Sequence, residues 1–496
     1  MRVSSNTIYD STVAALGQQQ TNLLKTQQQV STGRKILTAS DDPVAATRAL
    51  EISQADAINN QYATSRTAVR HTLSLAESNL QSATSLLQDV RDAAVTAGNG
   101  GLSSSDRRTI ATELSGRLQE LVGLANSTDG AGNYLFSGFQ SRTQPFANVG
   151  GVMSYNGDDG QRLMQLNASR QMASSDSGAD VFMRIKNGNG KFIDQAAAAN
   201  TGTGIISLGL VTNPAALTGH SYTIAFAGPS AQAAGANTGG GAISTPTVVS
   251  QNAVTGNDYS VVFGVGGTTY TVNNLTTGLP VTGMTAQPYV SGQGIEFDGL
   301  RFNITDTPLP PANGDTFTVS SPGYTVTDTT TSTVVLPSPA VGRVRYVSGQ
   351  AISFDGMQMD IQGTPAAADT FTVTPSTNES VFKTISDLIT ALSAPTTASS
   401  GPTALTNSLN RGLNNLDSAL NNILTTRSSL GLRLQEVDAL QTIGDDLGLQ
   451  LKQTLSQLQD VDYNKAISDL AQQQMTLQAA QKSFAATANL SLFSYI

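Results

Sequence analysis

Apolar residues return at every seventh position over two long stretches of the chain. Between 405 and 458 one row reads Leu409, Leu416, Ile423, Leu430, Val437, Gly444, Leu451 and Leu458. A companion row four residues on reads Leu413, Leu420, Arg427, Leu434, Gln441, Gly448 and Leu455. A repeat of 3.5 residues keeps one side of an underwound helix against its neighbours, which is the seam of a coiled coil. At ~1.5 Å per residue the helix is about 80 Å long and needs helical partners. The stretch 41–97 supplies one, with Tyr62, Val69, Ala76, Ala83, Val90 and Ala97 in one row and Leu73, Leu80, Leu87 and Ala94 in the other. Asp42 is placed to cap it and Pro43 suits its first turn. Glycines at 98–101 end it, and a further helix starts near Ser105 with Ile110, Leu114, Leu118, Leu121 and Ala125 on one face. The core of this rod is expected at Leu73, Leu80, Leu87, Leu416, Ile423, Leu430, Val437 and Leu451. Val381, Phe382, Ile385, Leu388, Ile389 and Leu392 predict a shorter helix ahead of a Pro/Ser/Thr-rich linker at 394–403.

The two ends carry a thinner version of the same rhythm. Tyr9, Leu16, Leu23, Val30 and Leu37 form one row over 1–40, beside the poor row Val13, Gln20, Gln27 and Arg34. Leu470, Leu477 and Phe484 form its counterpart over 460–496, beside Ile467, Gln474, Gln481 and Ala488. One narrow apolar row buries too little to hold a helix alone against its conformational entropy. The expectation is that 1–40 and 460–496 pair, are mobile in a free monomer, and are stabilised by neighbours in a polymer.

Between 146 and 376 the pattern switches to short alternating runs rich in Gly, Thr, Ser and Val. Tyr222–Phe226 and Tyr259–Phe263 read as strands, 181–193 as a hairpin around Asn187-Gly188, and Gly157-Asp158-Asp159-Gly160 as a hairpin turn. A repeat is legible within 289–319 and 346–373. Tyr289-Val-Ser-Gly-Gln returns at Tyr346, Phe297-Asp-Gly at Phe354, and Asp315-Thr-Phe-Thr-Val at Asp369. The fold class that follows is α+β and multidomain. Helical segments 41–145 and 377–459 form a rod, continued by the terminal helices, and carry one or two small all-β domains inserted at 146–376.

Composition changes this picture mainly by exclusion. The 496 residues include no cysteine, so disulfides, thiolate metal sites and cysteine nucleophiles are ruled out. A net charge of −9 argues against nucleic acid or an anionic membrane as partner. No stretch reads as a membrane span, and Met1–Ser5 opens without the apolar core of a cleaved signal. His71 falls on a helix and His220 in a turn, and neither sits in a catalytic or metal-binding constellation. No cofactor and no enzymatic activity are expected.

Several separated motifs resemble the flagellin family. They are Ser31-Thr-Gly-Arg-Lys-Ile36, Ser40-Asp41-Asp42-Pro43-Val-Ala-Ala46, Gly132-Asn-Tyr-Leu-Phe-Ser-Gly138, Leu477-Gln-Ala-Ala480 and Leu490–Ile496. The Asp41-Asp42-Pro43 variant and the final Ser-Leu-Phe-Ser-Tyr-Ile are most similar to the hook–filament junction branch of that family. The resemblance implies a structural subunit of the bacterial flagellum, self-associating in a ring by helix packing, with flagellin itself as the near alternative. It implies contacts with hook-associated protein 1 and flagellin, and an export chaperone on the C-terminal helix. It also implies type III export to the outside of the cell. Tyr9, Leu16, Leu23, Val30, Leu37, Leu470, Leu477 and Phe484 are then the expected assembly interface. A reading from another class makes the β insertion an adhesin or glycan-binding module on a helical stalk.

Overall fold

The computed structural model describes residues 5–395 and 401–489. The tail Leu490–Ile496 and the side chain of Ala488, both singled out above, lie outside the described part. Among the described residues six α-helices frame the fold: α1 (Ser5–Thr32), α2 (Pro43–Ala97), α3 (Ser104–Ala125), α4 (Val381–Ser393), α5 (Gly401–Gln459) and α6 (Tyr463–Asn489). All strands lie between α3 and α4. Two compact units result, one from Met1–Leu73, Leu163–Ser174 and Leu432–Ile496, the other from Ser74–Arg162 and Ser175–Gly431.

Leu80, Leu87, Leu416, Ile423 and Leu430 are buried. Arg427 interrupts the companion row, yet its guanidinium donates to Glu77 at 2.8 and 3.0 Å, so the charge is paired within the seam. Ser103 starts α3 with a reciprocal capping box to Asp106. Gly412 allows α4 close to α5, since a Cβ there would meet Leu388 at 2.3 Å. Phe136, Phe146, Phe182 and Phe382 form an aromatic cluster beside α4.

Residues 181–193 do not form a hairpin. Val181 and Phe182 are buried in a helical turn, Ala179–Met183. Ile185–Lys186 pairs with Asn378–Glu379, and Phe192–Ala196 pairs with Thr370–Pro375. The Asn187-Gly188 turn exists, but the strands it joins find partners distant in sequence that bury more of their apolar faces. Gly157-Asp158-Asp159-Gly160 is likewise no hairpin turn. Asp158 accepts the amides of Phe139 and Gly160 at 2.8 Å and so ties two loops together.

The β region holds two modules of one design. The outer module has a five-stranded sheet in the order Thr333–Leu336, Gly323–Asp328, Tyr222–Ala227, Thr370–Pro375, Phe192–Ala196. The inner module repeats it as Gln287–Pro288, Thr269–Asn274, Asp258–Phe263, Thr316–Ser320, Ser230–Ala233. Each adds a smaller sheet around a hairpin, Ala351–Phe354 with Met357–Gln362 in the outer and Gly294–Phe297 with Leu300–Asp306 in the inner. In the inner module residues 264–268 join the first two central strands. In the outer module the equivalent connection, 228–322, contains the whole inner module. The copy is therefore nested inside its sibling. Arg343 ties the two crossing points, its Nη1 donating to Gly228 O at 3.1 Å and Ser321 O at 2.6 Å.

Candidate assembly surface

The first unit brings the two ends of the chain together. α1 and α6 run with Cα atoms within 8 Å of each other, and the Tyr9 and Phe484 rings lie 5.2 Å apart. Leu477 is buried, while Leu16, Leu23, Val30, Leu37, Leu470 and Phe484 are half-buried. Tyr9 remains 53 % exposed.

The companion rows differ from expectation by one position at both ends. Val13, Gln20, Gln27 and Arg34 face solvent, as do Ile467, Gln474 and Gln481. Gln19 and Thr26 on α1, with Gly33 just past its end, take the inward positions, as do Ala466, Gln473 and Ala480 on α6. Thr26, Gly33, Ala466 and Ala480 are small enough to suit a close approach of the two backbones, whereas Gln19 and Gln473 are not, and apolarity alone does not reveal which flank is used.

The motif Asp41-Asp42-Pro43 builds the turn between α1 and α2. Asp41 accepts the amides of Leu37 and Thr38 at 3.0 Å and pairs with Lys25 Nζ at 2.7 Å. The Lys25 ammonium and the Thr38 amide hold its carboxyl down to about 2. Asp42 Oδ1 accepts the Ala45 amide at 3.0 Å, capping α2, with Pro43 as the first helical residue. The α1–α2 and α5–α6 turns are joined, Lys35 N donating to Gln459 O at 2.6 Å and Val461 N to Gly33 O at 2.9 Å. Gly33 has φ +70°, a left-handed conformation that favours glycine.

Where α2 and α5 meet in this unit, the seam turns polar. Leu73 and Val437 are buried, but Gly444 and Gly448 continue the row. Asn59 Nδ2 donates to Gly444 O at 2.8 Å, and Arg66 donates to Gln441 Oε1 at 2.9 Å and Leu166 O at 3.0 Å. A Cβ on Gly444 would lie 2.2 Å from Arg66 Nη2. Arg66 is buried, which pushes its guanidinium below the usual arginine value although Asp445 pulls the other way. Sequence reasoning recorded the glycines but not their cause. The only available signal was two glycines at heptad positions, which ask for a large partner opposite. Leu451, expected in the core, is only half-buried. Around this seam Val44, Leu50, Leu432, Ile443, Leu449, Ile467 and Met475 are exposed on the helices of the unit.

No group of three or more metal-ligating side chains occurs among the described residues, and no described helix is long and apolar enough to cross a membrane. His71 is exposed on α2, and His220 Nδ1 lies 2.7 Å from Asp328 Oδ2. Of the repeat aromatics, Tyr222, Tyr259, Phe297, Phe317, Phe354 and Phe371 are all buried in the two modules' cores.

A pair of terminal helices closed on each other, long seamed helices and an inserted β region define a flagellin-like protein. Residues 3–141 match the bacterial flagellin N-terminal helical region and 413–496 the C-terminal helical region. Flagellar hook-associated protein 3 of Salmonella typhimurium is 38% identical over 185 residues, 37% of this chain, and that of Escherichia coli is 37% identical over the same length. The match spans 58% of the length of these relatives. Among solved structures, hook-associated protein 3 of Legionella pneumophila is 29% identical with a TM-score of 0.61, covering 82% of this chain and 98% of that one. FlgL of Xanthomonas campestris gives 25% and 0.51, covering 81% and 99%. The chain thus carries stretches similar to both helical regions of bacterial flagellin, and it resembles flagellar hook-associated protein 3.

Proposed function

We propose that the chain is a structural adaptor at the hook–filament junction of the bacterial flagellum, and not an enzyme. The observation that carries this reading is the first unit, whose paired terminal helices leave one side of their own seam and a set of apolar residues uncovered. Copies of the chain would close into a ring by packing these helices, with Tyr9, Leu16, Leu23, Val30, Leu37, Leu470, Leu477 and Phe484 forming the seam that neighbours complete. Half-buried Leu451 would gain its remaining cover in the same way. Each leucine fully withdrawn from water contributes about 1.5–3 kcal/mol, so rows too weak in one chain become sufficient in a polymer.

Hook-associated protein 1 would lie on one side of the ring and flagellin on the other. The chain would leave the cell by type III export, with a chaperone covering the α6 region beforehand. A deletion strain tests the role. Hooks without filaments, with unpolymerised flagellin in the medium, are expected. Absence of flagellin with intact junction proteins would make the chain a filament subunit, and normal filaments would defeat both readings. Limited proteolysis tests the assembly mechanism separately, since ends as resistant as the β modules in free monomer would defeat disorder-to-order assembly.

A further inference from the structure

Arg345 has no counterpart in the inner module and no partner in its own. The nested copies align Tyr346 with Tyr289, so Pro288 stands where the outer module has Arg345. Two residues earlier Arg343 is spent on backbone carbonyls, and Tyr346 donates to Ile361 O and Gly363 O. Arg345 makes no hydrogen bond or ion pair among the described residues, and its Nε is buried without an acceptor. The residue is half-buried, but a guanidinium nitrogen desolvated in this way is costly unless an acceptor meets it.

The side chain borders a cleft of about 500 Å³ between the two β modules. No acidic residue lines it among the described residues. Val254, Pro322, Pro365 and the edges of Phe226 and Tyr346 make an apolar wall. Gln251 and Asn252 bring exposed carboxamides that make no hydrogen bond among the described residues. In a chain of net charge −9, an unpaired arginine in a cleft without carboxylates is a local inversion of the field. Guanidinium selects a carboxylate by its planar fork, amides select hydroxyls, and an apolar wall covers the C–H face of a ring. The size suits a ligand of one or two rings.

We propose that the cleft between the two β modules binds a carboxylate-bearing sugar, with Arg345 holding the carboxylate and Gln251 and Asn252 the hydroxyls. The inference is independent of what the helices assemble into.

Calorimetric titration of the full chain tests it, with glucuronate as probe, glucose as the neutral match and sulfate as an anion without a ring. Saturable glucuronate binding is expected, with glucose weaker by roughly tenfold or more, as losing a charged contact implies. Arg345→Gln should abolish the difference while circular dichroism and melting stay as in the parent. Arg345→Lys should recover only part of it, because a point charge lacks the fork. If Arg345→Gln fails to fold, the pair Gln251→Ala and Asn252→Ala carries the test through weakened glucuronate binding. Sulfate bound as tightly as glucuronate, glucuronate binding that survives Arg345→Gln, or no binding at all would overturn the proposal.

Discussion

Tyr222 and Tyr259 do the same work in the two β modules. Each hydroxyl meets a threonine four residues earlier, Thr218 or Thr255, and donates to a turn aspartate, Asp355 at 2.7 Å or Asp298 at 2.6 Å. Burial, with the adjacent carboxylate, pushes both phenols up to about 12. Asp369 and Asp315 are a second shared device. Asp369 accepts the amides of Thr201, Gly202 and Ala366, and Asp315 those of Thr238, Gly239 and Ala312. The modules part company where the outer one meets the helices. Asn407 on α5 accepts from Ile206 N and donates to Gly204 O, and the edge strand Phe192–Ala196 buries Asp194 where the inner edge strand has Ala231. What the copies share holds the module shut, and what differs fits one copy to its mounting.

Matched substitutions sharpen or break that comparison. The largest effect is expected at the common core. Phe371→Ala and Phe317→Ala should each cost about 3–5 kcal/mol, read as loss of stability in chemical unfolding. Clearly unequal costs would mean the cores are not equivalent. Asp369→Ala and Asp315→Ala come next, at about 2–4 kcal/mol, because each strands three backbone amides.

Asp194→Asn should act in the opposite direction and has no inner match. Burial raises the Asp194 carboxyl to about 6 from 3.8, so the folded chain binds this proton more tightly than the unfolded chain. Its penalty is absent below the unfolded value and grows as pH rises through about 6. The variant should gain about 1–3 kcal/mol at pH 7 and nothing near pH 3, and a gain independent of pH would refute the assignment.

The smallest effect is expected from His220→Asn, which copies Asn257 of the inner module. Asp328, despite the opposing push of burial, is held down to about 2 by His220 and by the amides of Thr330 and Thr331. Its contribution is present above the ordinary carboxylate range and lost as pH falls toward 2. Removing the histidine should therefore lower the melting temperature slightly at neutral pH, and the loss should shrink as pH falls toward 2.

The long helices were legible because Leu416, Ile423, Leu430 and Val437 repeat with large apolar side chains, and burial follows size over many turns. The flanks of α1 and α6 were not, because Thr26 and Ala466 win their inward places by being small. The repeat could be read from Tyr289 and Tyr346, but the nesting could not. Strand pairing between Tyr222–Ala227 and Gly323–Asp328 is decided by the sheet, and neither segment announces its partner. The polar seam stayed hidden for a similar reason. Asn59 and Arg66 look like surface residues until Gly444 and Gly448 are brought against them.

Nesting also imposes an order of events. The inner module closes its central pair over 264–268, a local contact, whereas the outer must bring its equivalent pair together across 228–322. If that span were loose chain, the longer loop would add roughly 2–3 kcal/mol of closure entropy and slow the search. Once the inner module has folded, Gly228 and Ser321 stand close enough for Arg343 to clasp both, and most of that search is already done. The inner copy thus serves as the template end of a folding hierarchy. A lesion in its core should delay completion of the outer sheet, even though none of the outer sheet's own residues has changed.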